Sequence, residues 1–284
     1  MGRRLRAGIA AALTALAVGA PPAHAVTTPL PQVRSFALAL GTGTLLGDLS
    51  RYEPYDLVVV DGDEVTAAQV AEVKAQGAVV LGYLSVGTIE RWRTWAKRAI
   101  PYRLGRVQGW SGEHYADTSK AGYRRLVLDV AAPPILAKGL DGLFLDNVDM
   151  IETHPRQRAG MYTLVRALAA RVHARPGGVV MAQNGAPVMQ PLVPLLDAWN
   201  REDVSATFDG RRYRAQPPAA TRTALAELRA MKARGLLVTA TDYTATEGTP
   251  LARRSAARAC SAGALPFVSN IDLTRIPAQP LTCP

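Results

Sequence analysis

The chain has 284 residues, 48% of them hydrophobic, and carries 33 Lys and Arg against 23 Asp and Glu, a formal charge of +10. That length buries a sizeable core. No Lys/Arg run with interleaved aromatics follows the N-terminal segment, which excludes a nucleic-acid binder, and two Cys with four scattered His make a poor zinc set, so neither metal nor organic cofactor is expected.

Residues 1–25 combine Arg3, Arg4 and Arg6 with an apolar stretch from Ala7 to Ala20 and a small-residue cleavage pattern, Ala23-His24-Ala25. This reads as a signal peptide of an exported protein. The apolar run is short for a bilayer span and breaks at Pro21-Pro22, so no stable membrane anchor is expected. Cleavage leaves 259 residues, 26–284, close to the roughly 250 of one (β/α)8 barrel, and lowers the charge from +10 to +7. A single domain, acting as a monomer, is the economical reading. The remaining positive charge favours anionic surfaces or polymers at long range.

Continuous apolar, β-rich runs occur at Ser35 to Leu40, Asp56 to Val60, Ala78 to Leu84, Leu143 to Leu145, Val179 to Ala182, Asp197 to Asn200, Leu236 to Ala240 and Leu265 to Val268. Unbroken runs of this kind suit strands covered on both faces of a parallel sheet. Helical patterns separate them. Thr66 with Gln69 forms a capping box for a helix closing at Gly77; Met161, Leu164, Val165, Leu168 and Val172 form one stripe of a 3.6-residue period; Leu225, Leu228 and Met231 mark a helix that stops at Gly235. Strand and helix alternate, which predicts a (β/α)8 TIM barrel. The stretch from Arg91 to Pro134, rich in Trp, Tyr, Gly and Pro, is expected to be a long irregular functional loop over the barrel mouth. Cys260 and Cys283, an even count in an exported chain, are expected to form a disulfide tying the C-terminal tail to the last helix.

Three times an acid precedes an apolar run and a second acid follows five positions on: Asp56 and Asp61, Asp141 and Asp146, Asp197 and Glu202. At about 3.3 Å per residue the members of a pair lie roughly 16 Å apart, at opposite ends of a strand. Asp61, Asp146 and Glu202 are then at the C-terminal ends, the face that carries the active site of such barrels, while Asp141 and Asp197 are structural. Glycoside hydrolysis needs two carboxyl groups flanking the bond, and Asp146 and Glu202 are the candidate nucleophile and acid/base. Gln183, Asn184, Asp242 and Tyr243, all at predicted strand ends, are candidate sugar binders, with Asp61 and Tyr83. Trp110 and Trp199 are candidates to stack on sugar faces. Asp149 can be read either way.

The segments Tyr55-Asp56-Leu57-Val58-Val59-Val60-Asp61, Gly82-Tyr83-Leu84-Ser85-Val86-Gly87, Asp141-Gly142-Leu143-Phe144-Leu145-Asp146, Gln183-Asn184-Gly185 and Glu202-Asp203 occur in this order. On these residues the chain resembles glycoside hydrolase family 114, the endo-α-1,4-polygalactosaminidases and related secreted polysaccharide hydrolases with a TIM-barrel fold. The resemblance runs from about Tyr55 to Leu273 and implies retaining catalysis on a galactosamine or N-acetylgalactosamine-type polysaccharide, with Asp146 as nucleophile and Glu202 as acid/base. Thr88 departs from the family pattern Gly-Glu-Ala-Glu, which has an acid there. The alternative reading is a non-catalytic glycan-binding barrel. A secreted peptidase or esterase on this fold has less support, since the chain lacks Gly-x-Ser-x-Gly and no His lies at a predicted strand end.

Overall fold

The computed structural model describes residues 30–41 and 48–284; the predicted signal peptide, 1–25, lies outside the described residues. Eight strands form one sheet: β1 Phe36–Ala39, β2 Leu57–Asp61, β3 Val79–Ser85, β4 Gly142–Asp146, β5 Val179–Gln183, β6 Ala198–Glu202, β7 Leu237–Tyr243 and β8 Leu265–Ser269. They neighbour one another in chain order and every ladder is parallel. The seam between β1 and β8 is closed by packing, the Phe36 ring meeting Phe267 edge-on at 5.8 Å. The result is a (β/α)8 TIM barrel. Leu57, Val58, Val59 and Val60 are completely buried, bore and helix layer taking alternate side chains, which is why these strands read as unbroken apolar runs.

The outer helices follow the sequence signals. Ala67–Ala75 begins at the Thr66–Gln69 capping box, and the chain leaves it through Gly77 at φ 98°, a left-handed turn that favours glycine. Arg158–His173 buries Met161, Leu164, Val165, Leu168 and Val172 against the barrel, and Pro218–Ala233 buries Leu228 and Met231.

The stretch from Arg91 to Pro134 is not an irregular loop. It belongs to an excursion between β3 and β4 that opens with a three-stranded antiparallel sheet, Thr88–Glu90, Glu113–Ala116 and Arg103–Arg106 in that spatial order. A helix follows, Ala121–Leu126, passing through a wide turn at Val127–Ala131 into Ala132–Ala137. Ile89, Trp95 and Tyr123 are buried and extend the barrel's hydrophobic core into the excursion. Pro133 and Pro134 fall in the first turn after the wide turn, where a missing N–H costs little, and they do not end the helix.

The floor of the barrel repeats one device. Asp56 accepts a hydrogen bond from Ser35 N at 3.0 Å, Asp141 from Val80 N at 2.9 Å and Asp197 from Val180 N at 2.8 Å. Each acid stands before an even-numbered strand and latches the start of the preceding odd-numbered one. Lys74 Nζ and His173 Nε2 complete Asp141 and Asp197. These acids are structural, and the spacing of five residues carries their partners to the opposite rim. Asp197→Ala leaves the Val180 N–H without its acceptor and is expected to lower stability by about 1–3 kcal/mol in urea denaturation, with kcat/KM for any substrate unchanged.

Candidate active site

Asp146, Gln183 and Glu202 are the last residues of β4, β5 and β6. The residue after each is in the left-handed region: Asn147 at φ 59°, Asn184 at φ 55° and Asp203 at φ 54°. Asn and Asp tolerate that conformation better than other residues bearing a side chain, and the sharp turn ends each strand just beyond its functional side chain. All three side chains converge over the bore. Gln183 Nε2 donates to Asp146 Oδ1 at 3.0 Å and to Glu202 Oε2 at 2.8 Å. Those two carboxylate oxygens cannot lie farther apart than the two bonds laid end to end, 3.0 plus 2.8 Å. That closeness suits a retaining pair, whose carboxyl groups lie roughly 5 to 5.5 Å apart.

The donors around the two acids are unequal. Asp146 accepts from Tyr83 OH at 2.7 Å, the Asn147 backbone N–H at 2.7 Å, Asn147 Nδ2 at 3.0 Å and Gln183. Glu202 accepts from Tyr243 OH, Gln183 and Asn184 Nδ2 at 2.9 Å. Burial pushes the carboxyl of Asp146 upward, opposed by Tyr83, the Asn147 N–H, Gln183 and the nearby charge of Arg93. Glu202 is pushed up to about 8, first by burial and then by the charge of Asp146, with Tyr243 and Asn184 opposing. Two carboxyls in one dry site hold a single negative charge near neutrality. Asp146 has four hydrogen-bond donors against three for Glu202, so the charge is better supported on Asp146 and the proton on Glu202. One group able to attack and one able to donate a proton therefore face the same opening.

The other sequence candidates divide by strand parity. Tyr83 and Tyr243 point into the barrel and hold the two acids. Gln183 and Asn184 spend their amides on carboxylates instead of lying free for sugar hydroxyls: Gln183 Oε1 also accepts from Asn200 Nδ2 at 2.8 Å, and Asn184 Oδ1 from Glu202 N at 3.0 Å. Asp61 is at the rim, but Arg93 Nη1 bonds both its oxygens, at 2.7 and 2.8 Å. Trp199 is not a stacking platform. It is completely buried on the outer side of β6, with its ring N–H donated to Asn184 O at 2.8 Å. Asp242 is likewise turned outward and buried, where it accepts from Ser205 N at 2.7 Å and Ala206 N at 2.8 Å, so it anchors the segment after β6 and does not reach a sugar. Trp110 lies on the turn of the antiparallel excursion, about half exposed at 52%. Cys260 and Cys283 form a disulfide between the helix Pro250–Ser261 and the C-terminal tail, Cα atoms 5.3 Å apart.

Four residues of the site escaped the sequence reading: Glu90, Arg93, Glu113 and Asn147. Arg93 and Glu113 sit in the stretch mistaken for a loop, and Glu90 ends the short strand just before it. Glu90 and Arg93 form a buried pair three residues apart, a spacing visible in the sequence. Thr88 Oγ1 bonds Glu113 Oε2 at 3.1 Å. A neighbouring strand thus returns a carboxyl to the position where the family pattern has an acid. Burial and the charge of Glu90 push the Glu113 carboxyl to about 7, and burial beside Asp146 pushes Asp149 to about 7.

The sequence profile of glycoside-hydrolase family GH114 matches residues 19–279. The chain belongs to this family. Among solved structures, the glycoside hydrolase domain of PelA from Pseudomonas aeruginosa is 26% identical, covering 85% of this chain and 96% of that one with a TM-score of 0.74. Ega3 from Aspergillus fumigatus, solved in complex with galactosamine, is 19% identical, covers 84% of this chain and 92% of that one, and shares the fold at a TM-score of 0.69. The α-galactosidase of Thermus thermophilus has the same kind of barrel at 13% identity and a TM-score of 0.56, covering 87% of this chain and 58% of its own. No curated protein sequence matches the chain. Membership of GH114 makes it a glycoside hydrolase by family, and no helix among the described residues is long and apolar enough to cross a membrane.

A carboxyl raised from 4.5 to about 8 on folding costs stability increasingly as pH climbs from about 4.5 through 8, because the unfolded chain ionises it freely over that window. Glu202→Gln removes the cost and is expected to raise the thermal midpoint by about 4 °C or more at pH 8, with no gain at pH 4. Differential scanning calorimetry at the two pH values reads the difference; an equal shift at both would sink the assignment of a buried, proton-holding Glu202.

Proposed function

We propose that the protein is a secreted, single-domain, retaining endo-glycosidase that cleaves an α-1,4-linked galactosamine or N-acetylgalactosamine-type polymer, with Asp146 as nucleophile and Glu202 as acid/base. The observation that carries this is the single amide of Gln183 reaching both carboxyls, which holds the two acids together at one rim as a retaining pair requires. Family membership supports the reaction class, and galactosamine in the Ega3 complex supports the sugar.

Protonated Glu202 gives its proton to the glycosidic oxygen as Asp146 Oδ attacks the anomeric carbon from the opposite face. The bond to the leaving sugar breaks and an ester to Asp146 forms. Gln183, Asn184 and Tyr243 then stabilise the Glu202 anion, which takes a proton from a water molecule as that water's oxygen displaces Asp146. Both residues return to their starting states. Positive charge developing at the sugar is favoured by the Asp146 carboxylate, and by Glu113 and Asp149 above about pH 7, where they ionise. The same local field suits a cationic or partly N-acetylated polymer, although the chain as a whole is basic, because a nearby buried charge acts more strongly than distant, screened surface charge.

Secretion is supported by the signal-like N-terminus and by the Cys260–Cys283 disulfide, which persists in oxidising compartments. Action as a monomer by residues 26–284 belongs to the same proposal. Screening the mature protein on galactosamine-rich, N-acetylated and uronic-acid polymers, with mass analysis of products, tests the substrate class. Glu202→Gln is expected to lower kcat by about 10²–10⁴-fold and Asp146→Asn to abolish oligosaccharide release, both with unchanged circular dichroism. Proton NMR of the first product should show the α anomer. Near-normal turnover in either variant would overturn the roles, a β anomer the retaining mechanism, and glycan binding without cleavage on every polymer would indicate a binding barrel.

A further inference from the structure

The hydroxyl of Tyr83 has one proton and two carboxylates within reach, Asp146 Oδ2 at 2.7 Å and Glu90 Oε1 at 3.2 Å. Both acids are buried, and the nearer bond goes to Asp146. Behind Glu90 stands Arg93, its side chain only 5% exposed, with Nε on Glu90 Oε2 and Nη1 on both oxygens of Asp61. The guanidinium carbon lies 5.4 Å from the centroid of the Tyr83 ring. An unbroken chain of contacts therefore runs from Asp61 through Arg93, Glu90 and Tyr83 to Asp146. Asp63 Oδ2 also lies 3.6 Å from Arg93 Nη1, and a cluster of three acids around one cation in a dry rim is a poor source of stability, since desolvation offsets the attraction.

We propose that Arg93 and Glu90 are positioning residues for the hydrolysis: by holding Glu90, Arg93 leaves the Tyr83 proton to Asp146 and keeps that carboxylate as the charged member of the catalytic pair. The inference rests on the reading of Asp146 as nucleophile. Arg93 contributes twice, occupying the rival acceptor and placing a positive charge near Asp146. Glu90 contributes in the opposite sense, as a like charge and a competitor for one proton. In the glycosyl-enzyme Asp146 is an uncharged ester and a weaker acceptor, and Glu90 is then the next acceptor in reach of the same hydroxyl.

Other charged or titratable groups facing Asp146 are Glu113 from the excursion, Asp149 from the turn after β4, and Glu202 and Tyr243 from β6 and β7. None of them contacts Tyr83 OH or Arg93 through a hydrogen bond or ion pair among the described residues; Asp63, on the far side of Arg93, does pair with it at 3.6 Å, and Glu113 feels the charges of both Glu90 and Arg93.

The signs of the effects separate a positioning role from a structural one. Asp146 attacks as an anion, so the acid limb of kcat/KM follows its protonation. Arg93→Met removes a neighbouring cation and is expected to move that limb up by about one pH unit; Glu90→Gln removes a neighbouring anion and should move it down by a similar amount. The double variant should return close to the wild-type limb, and Arg93→Lys, which keeps the charge, should lie nearer wild type than Arg93→Met. Carbon-13 NMR titration of carboxyl-labelled Asp, with Asp146→Asn to assign the resonance, reads the same protonation without turnover. Should Arg93→Met fail to fold, Glu90→Gln and Arg93→Lys carry the test alone. Lower kcat in these variants with neither limb nor titration displaced would overturn the proposal. Opposite shifts of the Asp146 titration in a protein that cleaves no polymer would uphold the proton placement and sink the hydrolase reading instead.

Discussion

Two carboxyl groups buried at one rim cannot both be charged without cost, and the structure around the barrel mouth is organised by that constraint. Gln183 sits between them with one amide nitrogen serving both. The remaining donors are divided so that Asp146 receives Tyr83 and both nitrogens of Asn147, while Glu202 receives Tyr243 and Asn184. Tyr83 lies within the last three residues of β3, and the other donors stand at or just beyond the end of a barrel strand. The parallel register decides which of them meet, with Ser85 beside Asp146, Gln183 beside Asn200 and Thr241 beside Glu202. Asn200, beneath the site, fixes Gln183 and is itself fixed by Thr239 and Thr241, so the bridging amide has a defined orientation.

The two ends of the barrel use acids in opposite ways. At the floor Asp56, Asp141 and Asp197 meet backbone N–H groups and knit odd strands to even ones. At the rim Asp61, Asp146 and Glu202 meet side-chain donors that set charge and orientation. The excursion between β3 and β4 supplies what the barrel ends lack: a cation at Arg93 and carboxyls at Glu90 and Glu113, brought over the mouth by a sheet packed on the barrel's own core. Stability and chemistry are thereby separated along the strand axis, and the acidic mouth exists within a basic chain because its charges come from one face only.

Much of this was legible because a barrel strand of five residues turns a linear spacing into a spatial one. The eight apolar runs and the acid pairs five apart located the strands, the floor and the rim. Asn147, Asn184 and Asp203 were equally open to reading, as residues that accept a left-handed turn directly after three strand ends. Trp199 and Asp242 were misassigned although the pleat alternates: with Glu202 facing the bore, Trp199 three positions away faces out, and Asp242 must oppose its neighbour Tyr243. The excursion was not legible, because strands of three or four residues carry too few positions for a period, and Pro133-Pro134 reads as a break unless the wide turn before it is known.

The sequence by itself determined the barrel, the orientation of each strand and the two acids at its mouth, since hydrophobic runs and residue counts follow directly from strand geometry. Only the tertiary structure decided which donors surround each carboxyl, which amides hold carboxylates instead of lying free for sugar hydroxyls, and that Arg93 and Glu90 lie beside the site. Those outcomes depend on burial and on donors from strands far apart in the chain, and a pKa or a hydrogen bond is a property of such neighbours and not of the residue that carries it.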